Sequence, residues 1–338
     1  MRWAILGLGL LLSGAARAPA AAQAASRIHL PPSDRVRLAE ASRLASQLTE
    51  QLWPGWGRPP LQLLLVTDSA EFLLGHPRLV ADFAPLGFDS LLGREVWTRA
   101  RRFPPTLLAT FPAVDGVPTI VIGPAERTGK SSVAWVLTVL HEHFHQWQYS
   151  QPDYYPGVAR LDLAHGDTTG QWMLEYPFPY DSALSQRGIR RLATALLRAL
   201  DAASSERQQA LKDVIAARDA LRRGLRAADY RYFEFQLWQE GVARYIEYAA
   251  AGAAAKLGPP AAEFRSLPDY EPYRAAGDSM RRSLRRQLEQ LDLGKQRRVA
   301  FYPIGAALAL LLDGTRSDWK STYTRHPFVL AGQLSPDQ

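Results

Sequence analysis

Two histidines four residues apart, His141 and His145, with Glu142 directly after the first, constrain this chain more than any other feature. In a helix, residues at this spacing lie on one face, one turn apart. Their imidazoles then stand close enough to share one metal ion. Two imidazoles do not complete such a site, because a catalytic metal usually takes three protein ligands and keeps one position open. The fold must therefore bring a further donor to this helix. The chain has no cysteine, so that donor is a His, Asp or Glu, and disulfides and thiol-linked lipid anchors are excluded. Glu142 is placed to serve as general base toward water at such an ion.

The helix itself is predicted over 132–149, opened by Gly129-Lys130-Ser131-Ser132. Val133, Leu137, Leu140, Phe144 and Trp147 form a broad apolar stripe. Ala134, Thr138, His141, His145 and Gln148 form an adjoining one, which puts both imidazoles at the border of the core, where a cleft can open. His143 is two residues from each and points elsewhere, as a structural or supporting histidine.

Upstream, residues 1–24 read as an export signal. Arg2 precedes an apolar run too short to span a bilayer, and Ala22-Gln23-Ala24 resembles a cleavage site. The expected location is periplasmic or secreted, with no stable membrane span after processing. The remaining 25–338 is expected to form one domain, since 47% hydrophobic content supplies a sizeable core and no linker interrupts it. The net charge of +7 is spread over helix faces with acids nearby, which argues against a nucleic-acid partner.

Pro31-Pro32-Ser33-Asp34 starts a helix that Trp53-Pro54-Gly55 stops. Strands are predicted at 61–67, 106–111 and 119–122, the last two joined as a hairpin at Asp115-Gly116. Residues 151–179 read as a long ordered loop. Helices follow at 182–200, 205–226, 230–251, 279–291 and 299–312, with an irregular tail. The fold class is α+β: a small, mostly antiparallel N-terminal sheet, then a helical portion that carries the metal helix, an insertion over 151–231 and a further helix over 230–251.

That further helix contains Trp238-Gln239-Glu240-Gly241-Val242-Ala243-Arg244-Tyr245-Ile246-Glu247. With His141-Glu142-His143-Phe144-His145-Gln146-Trp147, it resembles the gluzincin metallopeptidases, especially their zinc aminopeptidase branch. Those enzymes pair H-E-x-x-H-Q-W with a later W-x-N-E-G-F-A-x-Y-x-E. The resemblance implies a zincin-like fold, a Zn2+ cofactor, His141, His145 and Glu240 as ligands, and Glu142 as base and proton shuttle. It covers about two dozen residues. The 151–231 insertion departs from the pattern, and so does the lack of a G-x-M-E-N motif for a free amino terminus. The substrate it implies is therefore a peptide or other amide, without a commitment to aminopeptidase action.

Glu175 is the main rival for third ligand, and Glu234 and Glu247 flank Glu240, with Glu247 placed to orient a ligand. Gluzincins use a Tyr or His to stabilise the oxyanion. Tyr302 is the first candidate here, with Tyr232 and Tyr245 behind it. The segment 119–122 is expected to be an edge strand that adds substrate backbone to the sheet. The alternative to a hydrolase is a non-catalytic metal-binding or cell-envelope interaction protein on the same fold.

Overall fold

The computed structural model describes residues 28–334, so the expected signal segment lies outside the described residues. Helix α1 (Pro32–Leu52) begins with proline at a position whose N–H would be unpaired in any case. It ends where the Trp53 N–H bonds the Thr49 carbonyl. Six strands follow: β1 (Leu63–Val66), β2 (Ala70–Leu74), β3 (Ala84–Asp89), β4 (Arg94–Ala100), β5 (Leu108–Val114) and β6 (Val117–Ile122). They form one sheet in the order β3-β4-β2-β1-β6-β5, parallel only between β1 and β6. The rest of the chain is helical: α2 (Ala125–Thr128), α3 (Ser132–Tyr149), α4 (Tyr154–Arg160), α5 (Trp172–Glu175), α6 (Ala183–Asp201), α7 (Arg207–Gly224), α8 (Ala227–Gln236), a π-helical turn (Leu237–Gly241), α9 (Val242–Ala254), α10 (Ala262–Arg265), α11 (Tyr273–Glu289), α12 (Leu293–Gln296), α13 (Phe301–Thr315) and α14 (Trp319–Thr322). The fold class is α+β, as the sequence predicts. From Pro31 onward the described chain forms one compact unit. No helix among the described residues is long and apolar enough to cross a membrane.

The β5–β6 hairpin turns at Asp115 and Gly116, both with positive φ (48° and 71°). That is the primed-turn geometry an Asp-Gly pair favours. The position of β6 differs from expectation. It lies between β1 and β5, bonded on both sides, and β5 is the edge strand. Strands β2, β3 and β4 carry no clean apolar signal. Within β2, Glu71 is fully buried because Arg99 pairs with it at 2.7 Å and the Arg102 and Phe103 N–H groups donate to it. Its charge breaks the apolar run that would mark an interior strand. Pro85 and a bulge at Gly87 obscure β3.

Helix α3 is the centre of the molecule. It packs on β5 and β6 on one side and on α1 and α9 on others, and nearly all its residues are buried. Its first turn is fully provided with partners. Ser131 accepts from the Ala134 N–H at 3.3 Å, and Asp269 accepts from the Ser132 N–H and hydroxyl, both at 2.7 Å. Arg37 on α1 is buried beside it, donating to Ser132 Oγ, Asp34 and Glu126. At its other end, Trp53, Phe144, Trp147, Trp319 and Tyr323 form edge-on ring contacts about Trp53 at 4.9–5.7 Å. The tail is thus ordered, not irregular: α14 and Tyr323 belong to the core.

The sequence predicts one continuous helix over 230–251. The structure has α8, the π turn and α9 in line, with Glu240 in the π turn. The π turn coincides with a close crossing of α13. An added Cβ at Gly241 would lie 2.4 Å from Gly305 Cα on α13, and one at Gly305 would lie 2.6 Å from Gly241 Cα. Only glycine permits backbones to approach this closely.

Gly241→Ala should therefore push α13 away and lower stability by about 1–3 kcal/mol in urea unfolding, with a parallel loss of metal affinity through the neighbouring Glu240. Arg37→Met tests the other end of α3. Burial lifts the Asp34 carboxyl to about 6 despite Arg37. A carboxyl raised by folding favours the fold most when protonated, and that contribution fades as pH rises through about 6. Without Arg37, an ionised Asp34 is left buried, so unfolding at pH 8 should be easier by about 3–5 kcal/mol. The loss should shrink at pH 5, where Asp34 takes a proton; an equal loss at both pH values would point to a different group.

Candidate metal centre

Helix α3 presents His141 and His145 toward the π turn, and Glu240 faces them from it. The two Nε2 atoms are 3.2 Å apart. Glu240 Oε2 lies 3.8 Å from His141 Nε2 and 3.6 Å from His145 Nε2. A tetrahedral ion with nitrogen and oxygen bonds of about 2.0–2.1 Å sets its donors about 3.3 Å apart, so the three atoms already approximate one face of such a site. His141, His145 and Glu240 form a buried to half-buried group that can hold a metal ion. The donor set, two imidazoles and a carboxylate with no sulfur, suits a divalent cation of intermediate hardness.

Supporting contacts fix both rings. The Gln148 amide nitrogen donates to the Trp238 and Gln239 carbonyls and to Tyr323 Oη, which leaves its oxygen 2.6 Å from His145 Nδ1. His145 therefore carries its proton on Nδ1 and keeps the Nε2 lone pair for an ion. Gln239 Nε2 is 3.1 Å from the same Nδ1, but a donor there cannot bond a protonated nitrogen, so Gln148 decides the tautomer. Behind His141, Glu247 Oε1 is 2.8 Å from Nδ1, a short ion-pair contact whose N–H direction is not well aligned. Arg244 holds the other Glu247 oxygen at 2.8 Å.

The charges agree with this geometry. Burial would raise the Glu240 carboxyl, but the facing His145 and His141 imidazoles outweigh it and hold the group well below the usual range. Burial likewise opposes ionisation of Glu247, and the Arg244 charge with His141 brings it down to about 2. His141 is lifted to about 9: burial lowers it, and the hydrogen bonds with Glu240 and Glu247 more than compensate. Two carboxylates thus favour a positive charge between the imidazoles, which His141 supplies as a proton and a metal cation can supply instead.

Glu142 sits beside the group on α3. Thr110 Oγ1, on edge strand β5, lies 2.8 Å from its Oε2 and 3.0 Å from its carbonyl oxygen, tying the carboxylate to the sheet. Tyr302, near the start of α13, is one turn before the Gly305 crossing. Its Oη accepts from Arg298 at 2.5 Å, and burial and the Glu240 charge hold its phenol well above the usual range. Its proton therefore stays on and is turned toward Glu240.

The rivals lie elsewhere. Glu175 is exposed and bonded by Gln171 at 2.7 Å, outside the metal-competent group. Glu234 is buried rather than a surface carboxylate, and receives Tyr230 and the Leu330 and Ala331 N–H groups. Tyr232 bonds the Met173 carbonyl, and Tyr245 packs against Trp319. His143 bonds Gln146, whose amide nitrogen reaches the Gln62 and Pro118 carbonyls, so it ties α3 to the sheet.

Sequence reasoning missed Tyr149. It stacks on His145 at 6.2 Å, and burial with the Glu240 and Glu142 charges raises its phenol, placing it at the same centre. Its position four residues after His145 was an available signal. Thr110 had none, because its role depends on β5 packing beside α3. Comparison with protein-family models, curated proteins and solved structures returns no match.

Gln148→Met should weaken zinc binding about 10–100-fold in chelator competition by freeing the His145 ring. Gln148→Glu, which retains an acceptor at Nδ1, should bind zinc more tightly than Gln148→Met.

Proposed function

We propose that this protein is a zinc-dependent hydrolase, a metallopeptidase of gluzincin type that cleaves a peptide or closely related amide. One observation carries the reading: a carboxylate from a distant helix meets two imidazoles spaced one turn apart, with an uninvolved glutamate alongside them. The residues fit zinc by number, donor type and spacing. When bound there, zinc supplies the Lewis acidity that brings water's pKa down to about 7 and polarises a carbonyl.

The chain's own residues carry the rest. Glu142, oriented by Thr110, accepts a proton from the attacking water and delivers it to the departing nitrogen. The C–N bond breaks, hydroxide oxygen joins the acyl carbon, and the amine leaves with the transferred proton. Tyr302 and Tyr149 keep their protons and, on turning from Glu240 and from the Thr110 carbonyl respectively, can donate to the developing oxyanion. Edge strand β5 has a free side for extended substrate, the role expected of 119–122 and transferred one strand outward.

Glu142→Gln is the deciding variant. Zinc-reloaded protein should hold equimolar metal while peptide turnover drops about 10²–10⁴-fold. Glu240→Ala should lose the metal itself in equilibrium dialysis. Full peptide turnover in Glu142→Gln would exclude Glu142 as the base, and zinc-loaded wild type that cleaves no peptide would leave a metal-binding protein.

A further inference from the structure

Arg297 and Arg298 line a cavity of about 470 Å³ together with the rings of Tyr176, Phe178 and Tyr180 and the carboxylates of Glu175 and Asp181. The two arginines differ. Arg297 is exposed, pairs with Asp181 at 2.7 Å and lies over the Tyr180 ring. Arg298 is half-buried, and no carboxylate among the described residues lies within ion-pair distance of it. Its one hydrogen bond goes to Tyr302 Oη. A guanidinium has five N–H donors in a planar fork suited to a carboxylate. Arg298 also lies over the Tyr302 ring and feels the Glu240 charge, and the N–H donors it does not give to Tyr302 are available to an anion in the cavity.

The preceding residue, Arg297, has φ 52° and ψ −134°, a conformation unfavourable for a non-glycine residue. Glycine at this position would relieve it. The strained turn between α12 and α13 sets the direction in which Arg298 leaves the chain. Through Tyr302, Arg298 is one side chain from the group facing Glu240.

We infer that Arg298 is a specificity-determining residue that binds a carboxylate on the substrate close to the scissile amide, with the aromatic wall covering the carbon chain that bears it. This rests on the hydrolase reading for the word substrate. The carboxylate itself is the shared chemistry of an acidic side chain and a free C-terminus.

Binding separates the two claims from turnover. Zinc-loaded Glu142→Gln protein is titrated with three peptides: Ac-Ala-Ala-Glu-Ala-NH2, Ac-Ala-Ala-Gln-Ala-NH2 and Ac-Ala-Ala-Gln-Ala-OH. At least one of the two carboxylate peptides should bind about tenfold or more tighter than the neutral amide, and which one does identifies the source. Adding Arg298→Gln should abolish that ratio, and Arg298→Lys should restore part of it. Equal affinity for all three peptides, or a ratio that survives in both Arg298 variants, overturns the carboxylate subsite. Failure of zinc-loaded wild type to cleave any peptide would instead sink the hydrolase reading and leave the binding ratio readable.

Discussion

The structure depends on keeping a charged cluster inside a helical core. His141, Glu142, His143, His145 and Gln148 all lie on α3, a helix with almost no exposed surface. Each such group loses its hydration, and an unpaired one costs more than a hydrogen bond returns. The fold answers by dedicating neighbours to them. Glu240 and Glu247 face His141, Gln148 faces His145, Gln146 faces His143, and Thr110 faces Glu142. Gln146 and Gln148 act as matched adaptors: each gives its carbonyl to a histidine and its amide nitrogen to backbone of another element. Each adaptor holds α3 in register with what it touches, the sheet through Gln146 and the π turn through Gln148.

That register has to reach Glu240 from a helix distant in sequence. The Gly241–Gly305 crossing supplies the contact. It presses the π turn against α13, and a wide turn within an α-helix redirects the side chains it contains. Glu240 leaves the helix from this turn, toward the imidazoles, while Glu247 two turns later still faces His141 from behind. The same crossing sets Tyr302 beside Glu240. One close approach of two glycines therefore positions a metal-competent carboxylate and a phenol together.

What the sequence shows of this follows from local physics. Helix α3, the Asp-Gly hairpin and the amphipathic helices α6 and α7 have patterns set by their own residues. The spacing of His141 and His145 and the Glu240–Gly241 run are equally local. The rest is decided by partners. Strand β2 is hidden because Glu71 is buried only by virtue of Arg99 and two backbone N–H groups thirty residues away. Strand β6 becomes interior because β5 folds outside it, which periodicity cannot express. Tyr323 reads as tail until its ring is seen stacked on Trp238 at 4.3 Å. Thr110 looks like any strand threonine until α3 arrives.

The segment between the two ligand helices gains meaning from where it attaches. Helices α6 and α7 pack on each other, and α6 packs on α11 and α13, not between α3 and α9, whose contact brings His141 and His145 near Glu240. Helices α3 and α9 can therefore meet without regard to the length of the segment between them. The stretch just before α6 behaves differently. Tyr176 stacks on Tyr232 at 4.4 Å, and Phe178 meets Phe301 edge-on at 5.1 Å. These rings fasten one wall of the cavity to α8 and α13, the elements that flank Glu240 and Tyr302. A rigid aromatic wall held by the same helices as the polar centre keeps a fixed distance from it. Whatever occupies that cavity is measured against the imidazoles by the frame that positions Glu240.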